Sequence, residues 1–588
     1  MFKRFFISFL GTLAGLIVAG FLCFIVIVAI IAASATSKVK ETAELSEKSI
    51  LHVDLSGSVE DRYQPTPIMD QIYGQTVNCI ALNDLVEAIS RAKEDKNIEG
   101  IYLECNGATA GLAQAQSIMR ALQDFKKSGK WIYAYGDSYT QGNYLLATTA
   151  DKIFINPQGM LDLHGLQTTS LYFKDFLDKV GVKMQVVKVG TYKSAVEPFL
   201  FNDMSAAHRE QMQYVLGQYW KNICQSIAAN RNVDTTLVNK WADNFAFTLP
   251  ASDYLKWHMV DSIVYKHQMK DIFEKLTDDD DPNMIGYESY LTKSKQKKQK
   301  GAEIAVLYAT GDITQSGKSG IVSDKLVPQI MDLIEDDDID GLILRVNSPG
   351  GDAFASEQIW EALQQFKAKT KKPFYVSMCD YAASGGYYIS CGADRIYAEP
   401  LTLTGSIGIF GMIPEASELL NNKLGIHTAS VTTNGDNTPS IFKAMSPELY
   451  GAMQAYVNRG YETFVSRCAT GRHKTVDQIK AIAEGRVWDG ETALKIGLVD
   501  KLGGLDMAIA DMAKLINEKD GNGHTGYKIT EYPKLKLEWW EEIMRLNTEL
   551  SDRAVKAELG EYIMYYDTYK SLKELSPLQC RMDYMLVR

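Results

Sequence analysis

The stretch YAASGGYY, residues 381–388, places one serine, Ser384, ahead of two glycines. Small neighbours let another chain come close to it, as acyl-transfer chemistry requires. A serine hydroxyl attacks a carbonyl only when a base takes its proton. A Ser-His-Asp arrangement needs a histidine, and the second half of the chain offers His427, His473 and His524. His427 falls in an extended run, LGIHTAS, while His473 and His524 fall in polar or glycine-rich turns without an acid partner. Lysine is the other base open to such a serine, because a desolvated amine loses its charge and can accept a proton. Lys193, in VGTYKSAVEPF, follows a β-branched run and sits among small and apolar residues, and Lys443 is its rival nearer to Ser384. Most lysines are surface groups, and Ser-Gly-Gly also serves ordinary tight turns.

A second motif lies upstream. In VNSPGGD, residues 346–352, Pro349 fixes a turn, and Gly350 and Gly351 free the backbone to present N–H groups. Two such donors suit an oxyanion hole, although glycine-rich turns after strands also receive phosphate.

The elements that must position these residues occur twice. NIEGIYLECNGATAGLAQAQSI (97–118) parallels DIDGLILRVNSPGGDAFASEQI (338–359), and ADKIFINPQG (150–159) parallels ADRIYAEPLT (393–402). VGVKMQVVKVG (180–190) resembles LGIHTASVTTN (424–434), and YLKWHMVDSI (254–263) resembles ALKIGLVDKL (493–502). All four pairs keep their order at an offset of about 240 positions, the mark of an internal duplication. The copies differ where chemistry is at stake. The first has CNGATAG in place of NSPGGD and Gln141, Gly142 and Asn143 in place of Ser384, Gly385 and Gly386; Asn437 stands in the second where the first has Lys193.

Each half alternates short β-branched runs with amphipathic runs. EIAVLYATGDI, GLILRVNS, FYVSMC and RIYAEP read as strands, and SEQIWEALQQFKA reads as a helix with Ile359, Trp360, Leu363 and Phe366 on one face. That alternation predicts an α/β chain of two tandem domains, each a parallel sheet covered by helices. Residues 1–40 read as an N-terminal transmembrane anchor, since positions 5–37 carry no charge and about 20 apolar residues span a bilayer. The first repeat then covers 48–277, a charged linker 278–301, the second repeat 302–526 and a C-terminal tail 527–588.

The formal net charge of −11 argues against a nucleic-acid partner. The eight cysteines are scattered without a CxxC pair, so neither a zinc site nor a disulfide framework is expected.

GTYKSAVEPF, RVNSPGGDAFASE, YAASGGYYISCGADRIYAEPLTLTGSIGI and GRVWDGETALKIGLVD together resemble the signal peptide peptidase A (protease IV) family, in particular its long, duplicated bacterial members. The resemblance implies a ClpP/crotonase-like fold in each half and a Ser/Lys dyad, with Ser384 as nucleophile and Lys193 as general base. It also implies that Gly350 and Gly351 form or adjoin the oxyanion hole and that no cofactor or metal is used. A bowl-shaped homotetramer is implied, held in the bacterial inner membrane by a single pass, its catalytic body facing the periplasm. Hydrophobic peptides, such as signal peptides left in the membrane after cleavage, are the implied substrates. Two other readings of the same residues are a crotonase-like acyl-CoA enzyme with no covalent serine and a non-catalytic membrane scaffold.

Overall fold

The computed structural model describes residues 45–63, 79–294, 300–435, 437–521, 523–534 and 578–582, with four single positions before residue 16. The apolar run at 5–37 therefore lies almost wholly outside the described residues. Among those residues, no helix is long and apolar enough to cross a membrane.

The first half builds a parallel sheet from β1 (Ser49–Leu55), β2 (Ile98–Cys105), β3 (Trp131–Gly136) and β4 (Lys152–Ile155). β5 (Lys183–Val189) leaves it, and β6 (Ser262–Ile263) and β7 (Met284–Gly286) form its two edges, giving the order β6-β4-β3-β2-β1-β7. Helices α1 (Leu82–Glu94), α2 (Leu112–Lys126) and α3 (Ala206–Arg231) belong to this half, and α4 (Tyr287–Lys293) follows β7.

The second half repeats the plan. Its strands are β8 (Gly301–Thr310), β9 (Gly341–Ser348), the short β10 (Gly350–Asp352), β11 (Phe374–Ala383), β12 (Arg395–Ala398), β13 (Leu403–Gly405) and β14 (Ile409–Glu415). After them come β15 (Val487–Asp489), β16 (Lys501–Leu502), β17 (Gly526–Tyr532) and β18 (Leu578–Arg581). Parallel pairing runs β16-β12-β11-β9-β8-β17, the order of the first sheet strand for strand. Helices α5 (Ala353–Thr370), α6 (Gly385–Ser390) and α7 (Leu505–Asp520) belong here. The central strand β9 is apolar on both faces, as a covered parallel sheet demands, apart from Arg345 and its polar end at Asn347 and Ser348. Each half keeps its own apolar core.

The structure departs from the sequence reading at three places. The interval read as a charged linker, 278–301, holds β7 and α4, with β7 on the edge of the first sheet and Tyr290 fully buried. Its counterpart β17 lies almost wholly in the interval read as a tail, 527–588, which also holds β18. Both β7 and β17 are edge strands, which tolerate polar residues and so lack the apolar alternation that marks a strand in sequence. Finally, the LGIHTAS region carries no strand, although its relative in the first half is β5. β5 is a strand because β14 supplies its ladder, from Val189 opposite Ile409 to Lys183 opposite Glu415.

This last pairing matters most for the site. A mixed sheet runs through β10, β18, β14 and β5, so that a strand of the first half ends inside the second.

Candidate active site

Ser384 stands at the junction of β11 and α6. Its backbone has φ 54° and ψ −113°, outside the regions an ordinary L-residue prefers. The junction is held on both sides, the Ser384 N–H donating to Gly405 O at 2.8 Å and the Tyr388 N–H donating to Ser384 O at 2.8 Å. Such strain persists only where surroundings over-determine it, and it aims the side chain off the helix axis. The first half has an ordinary capped helix at this junction, the Thr140 hydroxyl accepting from the Asn143 N–H.

Lys193 follows β5 by four residues, and the β5–β14 ladder carries it across to the serine. Its Nζ lies 2.6 Å from Ser384 Oγ, although 191 positions separate the two residues. It also lies 3.1 Å from both the backbone oxygen and the hydroxyl of Ser406. Ser384 and Lys193 are 0 % and 1 % exposed, so both are shut off from bulk water. Burial brings the Lys193 amine down to about 7, opposed only by a small upward pull from the Cys580 thiol. A neutral amine has two N–H donors and one lone pair. The two Ser406 oxygens take the donors, which leaves the lone pair for the Ser384 O–H. In its neutral form the lysine is thus oriented as a general base requires.

Ser406, which carries no motif of its own in the sequence, is the third residue in this contact. It lies in the quoted stretch LTLTGSIGI, and the visible signal was a serine directly after a strand-ending glycine. Its own φ is 50°, which turns its carbonyl and hydroxyl to the same amine. Ser406→Gly removes the hydroxyl without adding strain at that φ. We expect it to slow acylation of Ser384 about tenfold, read as the rate of fluorophosphonate labelling, because one of three restraints on the base is lost. An unchanged rate would mean that the Ser406 carbonyl alone holds the amine.

Of the rival bases, His427, His473 and His524 are exposed, and none shares a contact with Ser384. Lys443 is half-buried in the irregular stretch before the helix at Pro447–Gly471. The first half brings a further imidazole, His208, to this region. It is buried on α3 and lines, with Lys193, Ser406 and Met582, a cavity of ≈ 20 Å³, room for one water.

Gly350 and Gly351 form β10 beside the start of α6. Their φ values are +105° and +155°, and a Cβ on Gly350 would lie 2.7 Å from Gly385 N, so only glycine allows this approach. The Gly350 N–H donates to Ser348 Oγ at 3.1 Å. The other side of β10 is filled by the chain itself. β18 runs antiparallel to it, with Gly350 opposite Arg581 and Gly351 opposite Cys580, and the Met582 N–H donates to Pro349 O at 2.8 Å. On its far side β18 pairs with β14, Gln579 opposite Phe410. Cys580 is fully buried beside Lys193, and burial pushes its thiol up to about 12.

The family model for peptidase family S49 matches residues 124–278 and again 366–519, one match in each half. The chain belongs to peptidase family S49. A Clp protease model matches residues 299–400, the part of the second half that carries β8 to β12. Among curated proteins, the chain is similar to "Protease 4" of Salmonella typhi, 37 % identical over 81 % of this chain and 80 % of the relative. It is 34 % identical to "Protease 4" of Haemophilus influenzae over 90 % of this chain and 88 % of the relative. To "Serine protease SPPA, chloroplastic" of Arabidopsis thaliana it is 28 % identical over 88 % and 76 %. With these relatives the chain is a serine protease of family S49, built as an internal repeat.

Proposed function

We propose that the protein is a membrane-anchored endopeptidase that hydrolyses hydrophobic peptides, cleaved signal peptides among them, through a dyad of Ser384 and Lys193. The 2.6 Å approach of Nζ to Oγ inside a buried site carries this reading. Neutral Lys193 takes the Ser384 proton as Oγ attacks the scissile carbonyl. The oxyanion develops beside the Gly350–Gly351 turn and the N–H groups at the start of α6, which form or adjoin its hole. The lysine then gives its proton to the leaving amine, and a water resolves the acyl-enzyme.

Substrate binds as a strand. β10 and β14 are the walls of a slot one strand wide, and a peptide added there would take main-chain hydrogen bonds from both, the geometry of β-augmentation. β18 holds that slot, so a substrate enters as β18 leaves. A chain ending at Ser576 should therefore label with fluorophosphonate about tenfold faster than the full chain. A truncated protein that folds but labels no faster would show that β18 is part of the working site.

The uncharged run at 5–37 supports membrane attachment, which holds the site close to peptides left in the bilayer. Lys3 and Arg4 ahead of that run are balanced by Lys38 and Lys40 after it, so the orientation, with the body facing the periplasm of the bacterial inner membrane, is carried over from the family resemblance. A homotetramer is the assembly that the family resemblance carries over. The reading is tested by adding a fluorophosphonate to the detergent-solubilised chain and locating the adduct by mass spectrometry. An adduct on Ser384 with loss of peptide cleavage is expected, and its absence from folded protein would favour the acyl-CoA or scaffold reading.

A further inference from the structure

The motif GRVWDG, residues 485–490, is not used by the dyad chemistry, yet it touches the base from behind. Gly485 has φ +76°, and a Cβ there would lie 2.7 to 2.9 Å from Lys193 N, Cα and Cβ. Gly190 is its reciprocal, with φ +113° and a Cβ that would meet Glu484 C and O at 2.7 Å. Between these two glycines the backbones of the two halves lie in direct contact. The Tyr192 N–H donates to Glu484 O at 2.9 Å. The Glu484 carboxylate accepts from the Thr191 N–H at 3.1 Å and from its hydroxyl at 3.2 Å. The same segment holds the other side of the amine, the Ser406 N–H donating to Arg486 O at 2.7 Å and the Gly485 N–H to Ile407 O at 2.9 Å.

Arg486 fastens this arrangement. Its guanidinium lies 4.7 Å from the ring centre of Tyr192 and 4.8 Å from that of Trp488. Nη1 donates to the Tyr192 hydroxyl at 3.2 Å and Nη2 to Glu210 at 2.9 Å. A planar cation between two aromatic faces is a geometry that lysine cannot copy.

We propose that residues 484–486 are a clamp for the catalytic base, with Arg486 as its positioning residue, holding Lys193 of one half at hydrogen-bond distance from the nucleophile of the other. The role rests on the reading of Lys193 as base. It explains why a side chain that touches neither the serine nor the substrate slot stacks on Tyr192, the residue before the lysine. An effective concentration between base and nucleophile depends on their mutual placement, and small displacements cost rate steeply. The clamp also shields the amine from bulk water, which matters because a fully hydrated lysine would be protonated at neutral pH.

The titratable and charged groups around Lys193 are His208 on α3, Cys580 and Arg581 on β18, and Glu484, Arg486 and Glu210 in the clamp. The test is the rate of fluorophosphonate labelling of the full chain from pH 5 to 10, with the denaturation midpoint measured alongside. Arg486→Ala should lower the plateau rate about tenfold and move the pH midpoint up by about one unit. Arg486→Lys should recover the pairing with Glu210 but not the stacking, and fall between the two. An Arg486→Ala protein with wild-type rate and midpoint overturns the clamp, and so does a loss of rate that follows only the loss of folded protein at an unmoved pH midpoint. Should Arg486→Ala fail to fold, Glu210→Gln, at a half-exposed position, puts the same question with the same readouts and a smaller expected shift. Failure of the base reading looks different, since Lys193→Met would then label like wild type whatever Arg486 does.

Discussion

Lys193→Met is expected to slow fluorophosphonate labelling of Ser384 by about a thousandfold, within the range that removal of a general base costs. Ser384→Ala should leave no labelled site at all. Methionine nearly matches the volume of the lysine stem and carries no base. Because the buried amine is replaced by an apolar group, the folded protein should lose little stability. Only the chemistry should fail. The pH profile separates this from a packing defect. Lysine works as a base when neutral, and its amine is held down to about 7 by burial. The wild-type rate should therefore rise with pH through neutrality and level off above it. Two units below the midpoint about one molecule in a hundred has the neutral form, so labelling at pH 5 should be about a hundredfold below the plateau. Lys193→Met should lose that limb together with its rate. A variant within tenfold of wild type, or a wild-type profile flat to pH 5, would remove Lys193 from the mechanism.

Much of this arrangement was legible in the chain, for one physical reason. A duplicated fold carries its own control, so that positions erased in one copy stand out in the other. Ser384 against Gln141 and Lys193 against Asn437 are such positions, and the 2.6 Å contact joins the two that survive. Central strands such as β9 were visible because both faces are buried. The strands at the sheet edges were not, and β7 and β17 were read as linker and tail because edge strands have no apolar period to show. Ser406 was missed for a different reason. It acts through a carbonyl and a hydroxyl fixed by its backbone angle, and composition does not report an angle. β18 joins the site from the far end of the chain, and neither its short apolar content nor its spacing pointed to a slot between β10 and β14.

The joining of the halves yields the second large effect. A site divided between two repeats works only while the repeats stay in register, and one buried ion pair spans them at the root of the Gly350–Gly351 turn. Arg345, on β9 three residues before Ser348, donates from Nη2 to Asp61 Oδ1 at 2.8 Å and from Nε at 3.1 Å. Its Nη1 donates to Ser377 Oγ at 2.9 Å and to Met378 O at 3.2 Å. The two side chains are 2 % and 4 % exposed. A pair so buried adds little over an apolar replacement, because both ions gave up hydration to enter. Removing one partner is another matter, since the remaining charge keeps that loss without its compensation. Asp61→Ala is accordingly expected to cost about 3–5 kcal/mol in denaturant unfolding. Labelling of Ser384 should fall with it, because Asp61 belongs to the half that supplies the lysine and Arg345 to the half that supplies the serine. The double replacement Asp61→Leu with Arg345→Met should recover most of the stability, as no charge is then stranded. If Asp61→Ala alone unfolds like wild type, the halves are held by other contacts, chiefly α3 packed on β13 and β15 through Val215, Tyr219, Leu403 and Val487. Recovery of stability in the double variant without recovery of labelling would assign the pair a different task, holding the β9 turn in the shape that Gly350 and Gly351 need.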